Sequence, residues 1–352
     1  MKLSACMIVK NEEEYLPRAL NNLIGVVDEI CILDTGSTDR TIEIAEKYGA
    51  EIKTGGDAMH KGQSRNQSIE MATGDYVIIL DADETIRNPF DVRDHIELTR
   101  ADVYYIRLAF MNGDQPTLQY SQARIFKRGA VQYKYRAHEI PVWDKSAKVN
   151  WSTLVWEHRP PADRVERKKL YALERLLLDV KENPQESRPL YYLGRQYYYL
   201  GQYHPAIENL QKYIDFEDAG HDLADAHYYQ AICYEKIGFT NWAIESIYKA
   251  IAIKPKHREY WSKLAEFYKQ DESELAYACL RFVEKLPAPT WDYRWEKYYG
   301  AEYYDTLALA AYKCEDYRAA LKAGIKAVQL SNDPRLKKNL DFYLQKVVTD
   351  GL

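Results

Sequence analysis

The sequence predicts two architectures in succession: a doubly wound, mostly parallel α/β sheet, then an all-α array of repeated helix pairs. Three observations predict this. Strand-like and helix-like segments alternate, with short polar connections, from residue 3 to residue 84. The apolar run from Tyr76 to Leu80 reads as a strand covered on both faces, and it leads directly into Asp81-Ala82-Asp83-Glu84. Beyond about residue 160 the pattern turns helical almost throughout, with small and large apolar residues recurring at matching offsets.

In chain order, strands are expected at 3–9, 29–33, 51–54 and 76–80, and helices at 13–24, 41–48 and 61–72. Asn11 precedes an acidic first turn, and Ser37-Thr38-Asp39 precedes the second helix. Both supply side-chain oxygens for the free amides of a helix start. After Glu84 the pattern is β-rich, with strands expected at 102–110 and 122–127. A charged helix with one apolar face, 163–181, is closed by Asn183-Pro184. The expected domains are 1–160, a linking helix 161–184, and a repeat domain 185–352.

The repeats are legible residue by residue. Leu193, Gly194, Tyr197, Gly201, Ala206, Leu210 and Tyr213 occupy the small and large positions of a tetratricopeptide helix pair. Ala231, Tyr234, Gly238, Ala243, Ile247, Ala250 and Pro255 form a second copy. Trp261, Leu264, Ala265, Tyr268, Ala276, Leu280 and Val283 form a third, and Leu307, Ala308, Ala311, Ala320, Gly324 and Ala327 a fourth. The tyrosines, 31 in 352 residues, exceed what the repeat cores need. The surplus, Tyr191, Tyr192, Tyr197, Tyr198, Tyr199, Tyr228, Tyr229, Tyr298, Tyr299, Tyr303 and Tyr304, is expected to line a groove suited to peptides and sugars. An insertion at 287–295 breaks the period and is a candidate contact for an acceptor or a second copy; a packed spacer is the alternative.

A net charge of −5 provides no basic field and argues against nucleic acid as a partner. Five scattered cysteines without a paired spacing point to reduced, mostly buried thiols and a cytoplasmic location. The apolar run at the amino terminus is too short for a signal peptide, and no run of about 18 apolar residues predicts a membrane span.

The carboxylates after Tyr76–Leu80 carry the chemistry. In open α/β sheets the carboxyl edge of the strands is where ligands bind. Asp81 and Asp83, separated by one small residue, suit magnesium or manganese sharing its shell with diphosphate oxygens. The alternative is an acidic turn capping the next helix.

Four segments in this order, Cys6-Met-Ile-Val-Lys-Asn-Glu-Glu13, Val27-Asp-Glu-Ile-Cys-Ile-Leu-Asp-Thr-Gly-Ser-Thr-Asp39, Ser64-Arg-Asn66 with Gly74-Asp75, and Asp81-Ala-Asp83, resemble the motifs of family 2 glycosyltransferases of the A-type nucleotide-sugar-binding fold. The resemblance continues more loosely through Arg124-Ile-Phe-Lys-Arg128 and His138-Glu139 to His158. It implies metal-dependent, inverting transfer of a hexosyl or N-acetylhexosaminyl group from a nucleoside-diphosphate sugar, with UDP favoured and Mn2+ or Mg2+ as the ion. Val9, Asn11, Glu12, Asp34 and Gly36 would frame the nucleoside, and Arg65 would reach the diphosphate. Asp81 and Ala82 would face the ribose. Asp81 and Asp83 would hold the metal, with His158 as a late ligand. For Asp34 a capping turn stays open, for Arg65 a solvated helix position, and for His158 a core histidine bonded to a carbonyl.

Glu139, with His138 beside it, is the candidate base for the acceptor; Glu84, Asp114 and Asp144 are rivals, and a surface glutamate is the alternative reading. With only about 160 residues before the helices, the repeat domain or a second subunit is expected to complete the cleft. The helical half resembles repeat domains attached to some bacterial transferases, including ones that modify peptides or proteins. A peptide or protein acceptor is therefore expected, and a homodimer through the helical domain is possible. A saccharide or envelope-lipid acceptor is the rival within enzymes, and a non-catalytic scaffold the rival outside them.

Overall fold

A computed structural model describes residues 1–160, 165–216, 220, 222–269, 272–289 and 294–349. It divides the chain into two compact units, the first reaching Pro184 and the second holding the helices beyond. In the first unit the elements are β1 (Leu3–Val9), α1 (Leu16–Leu23), β2 (Glu29–Asp34), α2 (Thr41–Lys47), β3 (Glu51–Thr54), α3 (Lys61–Glu70), β4 (Tyr76–Ile79), β5 (Glu84–Ile86), α4 (Asp91–Thr99), β6 (Val103–Asn112), β7 (Gln115–Lys127), β8 (Gln132–Lys134), β9 (Ile140–Val142), β10 (Val149–His158) and α5 (Val165–Glu182).

The strands run in the order β3-β2-β1-β4-β7-β6-β10-β5. Alternation along β1 explains why helices cover both faces. Leu3, Ala5, Met7 and Val9 join a layer with Leu16, Leu20 and Leu23 of α1 and Val92 and Ile96 of α4. Cys6 points to the opposite layer, with Cys31, Val77 and Ile79, against Ile69 of α3. Both strand thiols are fully buried and free, and the β1–β2 register sets them side by side. A hydrogen bond with Cys31, together with burial, pushes the Cys6 thiol well above its ordinary range.

The parallel half extends from β3 to β4. Beyond β4 the sheet is mixed: β4–β7, β7–β6 and β10–β5 are antiparallel, while β6–β10 is parallel. The mostly parallel expectation thus describes the half from β3 to β4. The remainder departs from it because a tight turn joins β6 to β7, and a hairpin can only be antiparallel. The polar first half of β7, Gln115 to Ser121, shows no core-facing alternation, so the sequence left it out of the expected strand.

Helix α1 begins at Leu16 with Pro17 in its first turn, later than expected, and Asn11 does not cap it. Asn11 lies in the left-handed region, with φ of 54°, and its side chain accepts the Thr38 amide at 2.7 Å. Asp39 does serve a helix start, accepting the Thr41 amide at 3.0 Å.

The second unit pairs α6 (Arg188–Tyr199) with α7 (Tyr203–Ile214), α8 (Leu223–Lys236) with α9 (Thr240–Ile253), α10 (Arg258–Tyr268) with α11 (Ser273–Lys285), and α12 (Ala301–Lys313) with α13 (Tyr317–Leu330), followed by α14 (Pro334–Thr349). Successive helices pack on one another as in a solenoid. Each second helix buries an alanine at its fourth position: Ala206, Ala243, Ala276 and Ala320. At the eighth position stand Leu210, Ile247, Leu280 and Gly324, the glycine making room for the Tyr343 ring of α14.

Most of the surplus tyrosines are core rather than groove. Tyr191, Tyr192, Tyr229, Tyr298, Tyr303 and Tyr304 are buried, and of the group expected to line a groove Tyr199 is exposed. Several hydroxyls of the group pair inside the array, as in the Tyr199–Tyr229 and Tyr228–Tyr298 pairs at 3.1 and 3.3 Å, while the buried Tyr299 hydroxyl makes no hydrogen bond among the described residues. The start of the linking helix, 161–164, and the centre of the 287–295 insertion, 290–293, lie outside the described residues. Among the described residues no helix is long and apolar enough to cross a membrane.

The amino-terminal strands are locked by Glu29. Its carboxylate receives Lys2 Nζ at 2.6 Å, the Thr73 amide and hydroxyl at 2.6 Å each, and the Gly74 amide at 3.1 Å. Burial opposes its ionisation, but the bonds from Lys2, Ser4 and Thr73 prevail and lower its pKa from 4.5 to about 2. A depressed carboxyl pKa stabilises the fold above the unfolded value, and that contribution is lost as pH falls toward the folded one. Glu29→Gln should therefore cost about 2 kcal/mol at pH 7 after allowance for solvent screening. Urea melts should show the gap to the parent protein closing between about pH 5 and pH 2. In the helical unit, a Cβ at Gly194 would lie 2.6 Å from Leu210 Cγ. Gly194→Ala should destabilise by about 1–2 kcal/mol in the same melts, because overpacking outweighs the ~1 kcal/mol gained in helix propensity.

Candidate active site

The β1–β2 register places Val9 opposite Asp34, so the loops leaving both strands start at one level of the carboxyl edge. They are laced together. The Asn11 amide donates to Ser37 Oγ at 2.9 Å, the Glu12 amide to Thr41 Oγ1 at 2.7 Å, and the Glu13 amide to Asp39 at 3.1 Å. The Val9 carbonyl accepts the Thr35 amide at 3.0 Å. Asp34 is buried, and its carboxylate takes the amides of Gly36 and Ser37, each at 3.0 Å. Gly36 sustains that turn with φ of 101°, which a side chain rarely adopts. Asp34 thus shapes the edge through its own turn, the capping role left open by the sequence, and the five candidate nucleoside residues Val9, Asn11, Glu12, Asp34 and Gly36 fall on the last residues of β1 and β2 and the two adjoining loops that follow.

The turn between β4 and β5 carries the charges. Asp81 pairs with Arg65 of α3 and lies 3.5 Å from Arg124 of β7. Burial disfavours its charge, but Arg65 and Arg124 outweigh burial and hold the carboxyl far below the usual range. Arg124 also holds Glu84 at 2.8 Å, and Glu84 accepts the Asp81 amide at 3.0 Å. Glu84 is 1% exposed. Its two oxygens are committed to the turn, which removes it as a base for an acceptor. Ala82 is buried between the two aspartates.

Arg65 is 2% exposed and almost wholly enclosed. Burial works against its charge, and Asp81 and Glu139 more than restore it. Its Nε and Nη1 make no hydrogen bond among the described residues. Nη1 has no acceptor and Nε faces only the Glu139 carboxylate at 3.6 Å, an arrangement that is costly unless an anion completes it.

Asp83 faces elsewhere. Its carboxylate lies 3.4 Å from His158 Nδ1, at the end of β10, and its carbonyl accepts Arg18 and the Arg159 amide at 3.0 Å each. His158 Nδ1 is buried, forms no hydrogen bond of normal geometry, and stands 3.7 Å from Glu84. Burial lowers the His158 pKa, but Glu84 and Asp83 raise it by more. The expectation that Asp81 and Asp83 grip one ion together is therefore redistributed: Asp81 belongs to the arginines and Asp83 to His158. Among the described residues no group of three or more His, Cys, Asp or Glu side chains is arranged around one point. Asp83 and His158 Nδ1 nonetheless fit two positions of a divalent cation whose remaining ligands would be water and substrate oxygens.

Glu139 comes to the same place, its Oε1 3.6 Å from Arg65 Nε and its side chain 13% exposed. His138 is exposed, with φ of 50°. Asp114 and Asp144 are exposed turn residues, Asp144 serving the Ser146 amide at 2.8 Å. Sequence reasoning assigned no role to Arg124, although it stands in the Arg124–Arg128 segment noted above. The signal available was an arginine in an otherwise apolar strand end, Ala123 to Phe126.

Arg124→Met strands the buried Glu84 carboxylate and should cost about 3–5 kcal/mol in chemical denaturation. Adding Glu84→Gln should recover most of that loss, because the uncompensated charge disappears with it.

Residues 4–163 match the family described as Glycosyl transferase family 2. A TPR repeat-containing protein of Synechococcus elongatus is 47% identical over 85 residues, 24% of this chain and 21% of that protein. An uncharacterized glycosyltransferase of Rickettsia conorii is 33% identical over 118 residues, 32% of this chain and 41% of that one. The poly(ribitol-phosphate) beta-N-acetylglucosaminyltransferase TarS of Staphylococcus aureus is 30% identical over 129 residues, 32% of this chain and 22% of that one. The similarity spans less than half the length of each of these relatives.

Proposed function

We propose that this chain, whose residues 4–163 carry a family 2 glycosyltransferase domain, moves a sugar from a nucleoside-diphosphate sugar, with UDP favoured, to a peptide or protein acceptor. One observation carries the reading. Arg65 is enclosed at the carboxyl edge of the parallel strands between Asp81 and Glu139, with its Nη1 donor left without an acceptor. A diphosphate supplies acceptors in that geometry, and the loop after β1 and the Gly36-hinged loop after β2 flank the place for its nucleoside.

Asp83 and His158 would hold the divalent cation, manganese or magnesium. Bound there, the cation supplies Lewis-acid stabilisation to the charge on the departing diphosphate. Arg65 orients the diphosphate and neutralises part of its charge. Asp81 keeps Arg65 and Arg124 aligned and, with Ala82, faces the ribose. Glu139 accepts the proton of the acceptor hydroxyl, thiol or amide. The acceptor atom bonds the anomeric carbon from the side opposite the leaving group, the carbon–oxygen bond to the diphosphate breaks, and its electron pair leaves with the nucleotide. A single displacement of this kind inverts the anomeric centre.

The helical array supports a protein or peptide acceptor, since stacked helix pairs present an extended surface. A saccharide or envelope acceptor is the second reading, favoured by likeness to a Staphylococcus transferase named for poly(ribitol-phosphate).

A screen of nucleotide sugars with manganese for released nucleoside diphosphate tests the donor. Asp83→Ala should lower that release about 10³-fold or more while circular dichroism stays unchanged. Turnover equal to the parent chain would remove the metal role.

A further inference from the structure

Helix α5 lies past the segment that matches the transferase family, yet its side chains return to the loop that carries Glu139. Asp179 is 1% exposed and accepts the backbone amides of Arg136 at 2.8 Å and Ala137 at 3.0 Å, one on each oxygen. The Arg136 guanidinium forks onto Glu182 with two contacts of 2.8 Å. Arg175 donates to the Ala58 carbonyl at 2.6 Å, fixing the neighbouring loop.

From the other side α3 ties the same segment. The Lys61 amide donates to Arg136 O at 3.2 Å and the Gly62 amide to Tyr135 O at 3.0 Å. The Asn66 side chain exchanges bonds of 3.0 and 2.7 Å with the Tyr133 backbone. Within the segment Tyr135 and His138 hold φ of 72° and 50°. Such conformations cost non-glycine residues about 1 kcal/mol or more, so the path persists only while its surroundings impose it.

We propose that α5 is a working part of the catalytic unit and that Asp179 is a positioning residue, setting Glu139 by gripping the Arg136 and Ala137 amides. This rests on Glu139 being the base. Hydrogen bonds to a buried carboxylate are among the stronger ones available, whereas the half-exposed Arg136–Glu182 pair contributes less. The chemistry also dictates aspartate. Two amide donors need two acceptor oxygens, and an asparagine would turn its own N–H groups toward one of them. A base shifted by about 1 Å loses on the order of 10²-fold in rate, so slack in this grip reaches the reaction without touching the donor site.

The experiment compares Asp179→Asn, Glu139→Gln and the double variant in the full chain, using manganese and the nucleotide sugar that releases most diphosphate in the screen above. UDP affinity by calorimetry and amide exchange at residues 136 and 137 are measured alongside. Asp179→Asn should lower kcat about 10–100-fold with KM for the donor and UDP affinity within about twofold, and should speed exchange at those two amides. Glu139→Gln should lose more, and the double variant no more than Glu139→Gln alone, because Asp179 acts through Glu139. Should Asp179→Asn fail to fold, Glu182→Gln provides the milder variant, with about a twofold fall in kcat and the same absence of additivity. An inactive Glu139→Gln beside an unaffected Asp179→Asn, or losses that multiply in the double variant, would overturn the positioning role alone. Parent-level turnover by Glu139→Gln would overturn the base assignment, and this proposal with it.

Discussion

Two guanidinium groups converging on one turn hold the candidate-site edge together. Arg65 arrives from a helix and Arg124 from an antiparallel strand, and both meet the carboxylates that follow β4. Arg65, Arg124 and Glu84 are buried, so none of these three charges is tolerable alone, and with the partly exposed Asp81 each restrains the others. The helix on one face of the sheet, the mixed strands beyond β4 and the turn itself are thereby held in register.

Much of this could be read from the chain, and the limits have physical causes. Tyr76 to Leu80 announced a strand covered on both faces because neither alternate set of side chains was polar, and the structure splits that set between two core layers. The alanines of the second helices announced the solenoid because close helix crossings admit only small residues. What stayed hidden depended on partners distant in sequence. Asn11 resembles a helix cap to any local reading, but its acceptor serves Thr38, on a loop 27 positions away. The tyrosines seemed too many for a core because a single-residue view counts rings and not the hydroxyl pairs that let them lie inside.

The site was legible as a set of residues but not as a wiring. Asp81 and Asp83 have the spacing of a shared ligand pair, yet the turn between them, closed by Glu84, sends one carboxylate to arginine and the other to histidine. Arg124 was visible as an arginine in an apolar strand end, but its two acid partners are 40 and 43 positions away. The 163–181 helix read as a connector because its charges suggested solvent. Asp179, near its end, is instead enclosed, and the unit boundary falls after Pro184.

Cys6 and Cys31 sit abreast on the two strands at the heart of the parallel half, sealed from water, and the Cys31 hydrogen bond with burial keeps the Cys6 sulfur a thiol. A neutral, enclosed sulfur reacts with alkylating reagents only when the sheet around it comes apart. The pair therefore forms an internal clock: the speed at which these two sulfurs are captured times the opening of the parallel half, independently of fraying among the outer helices.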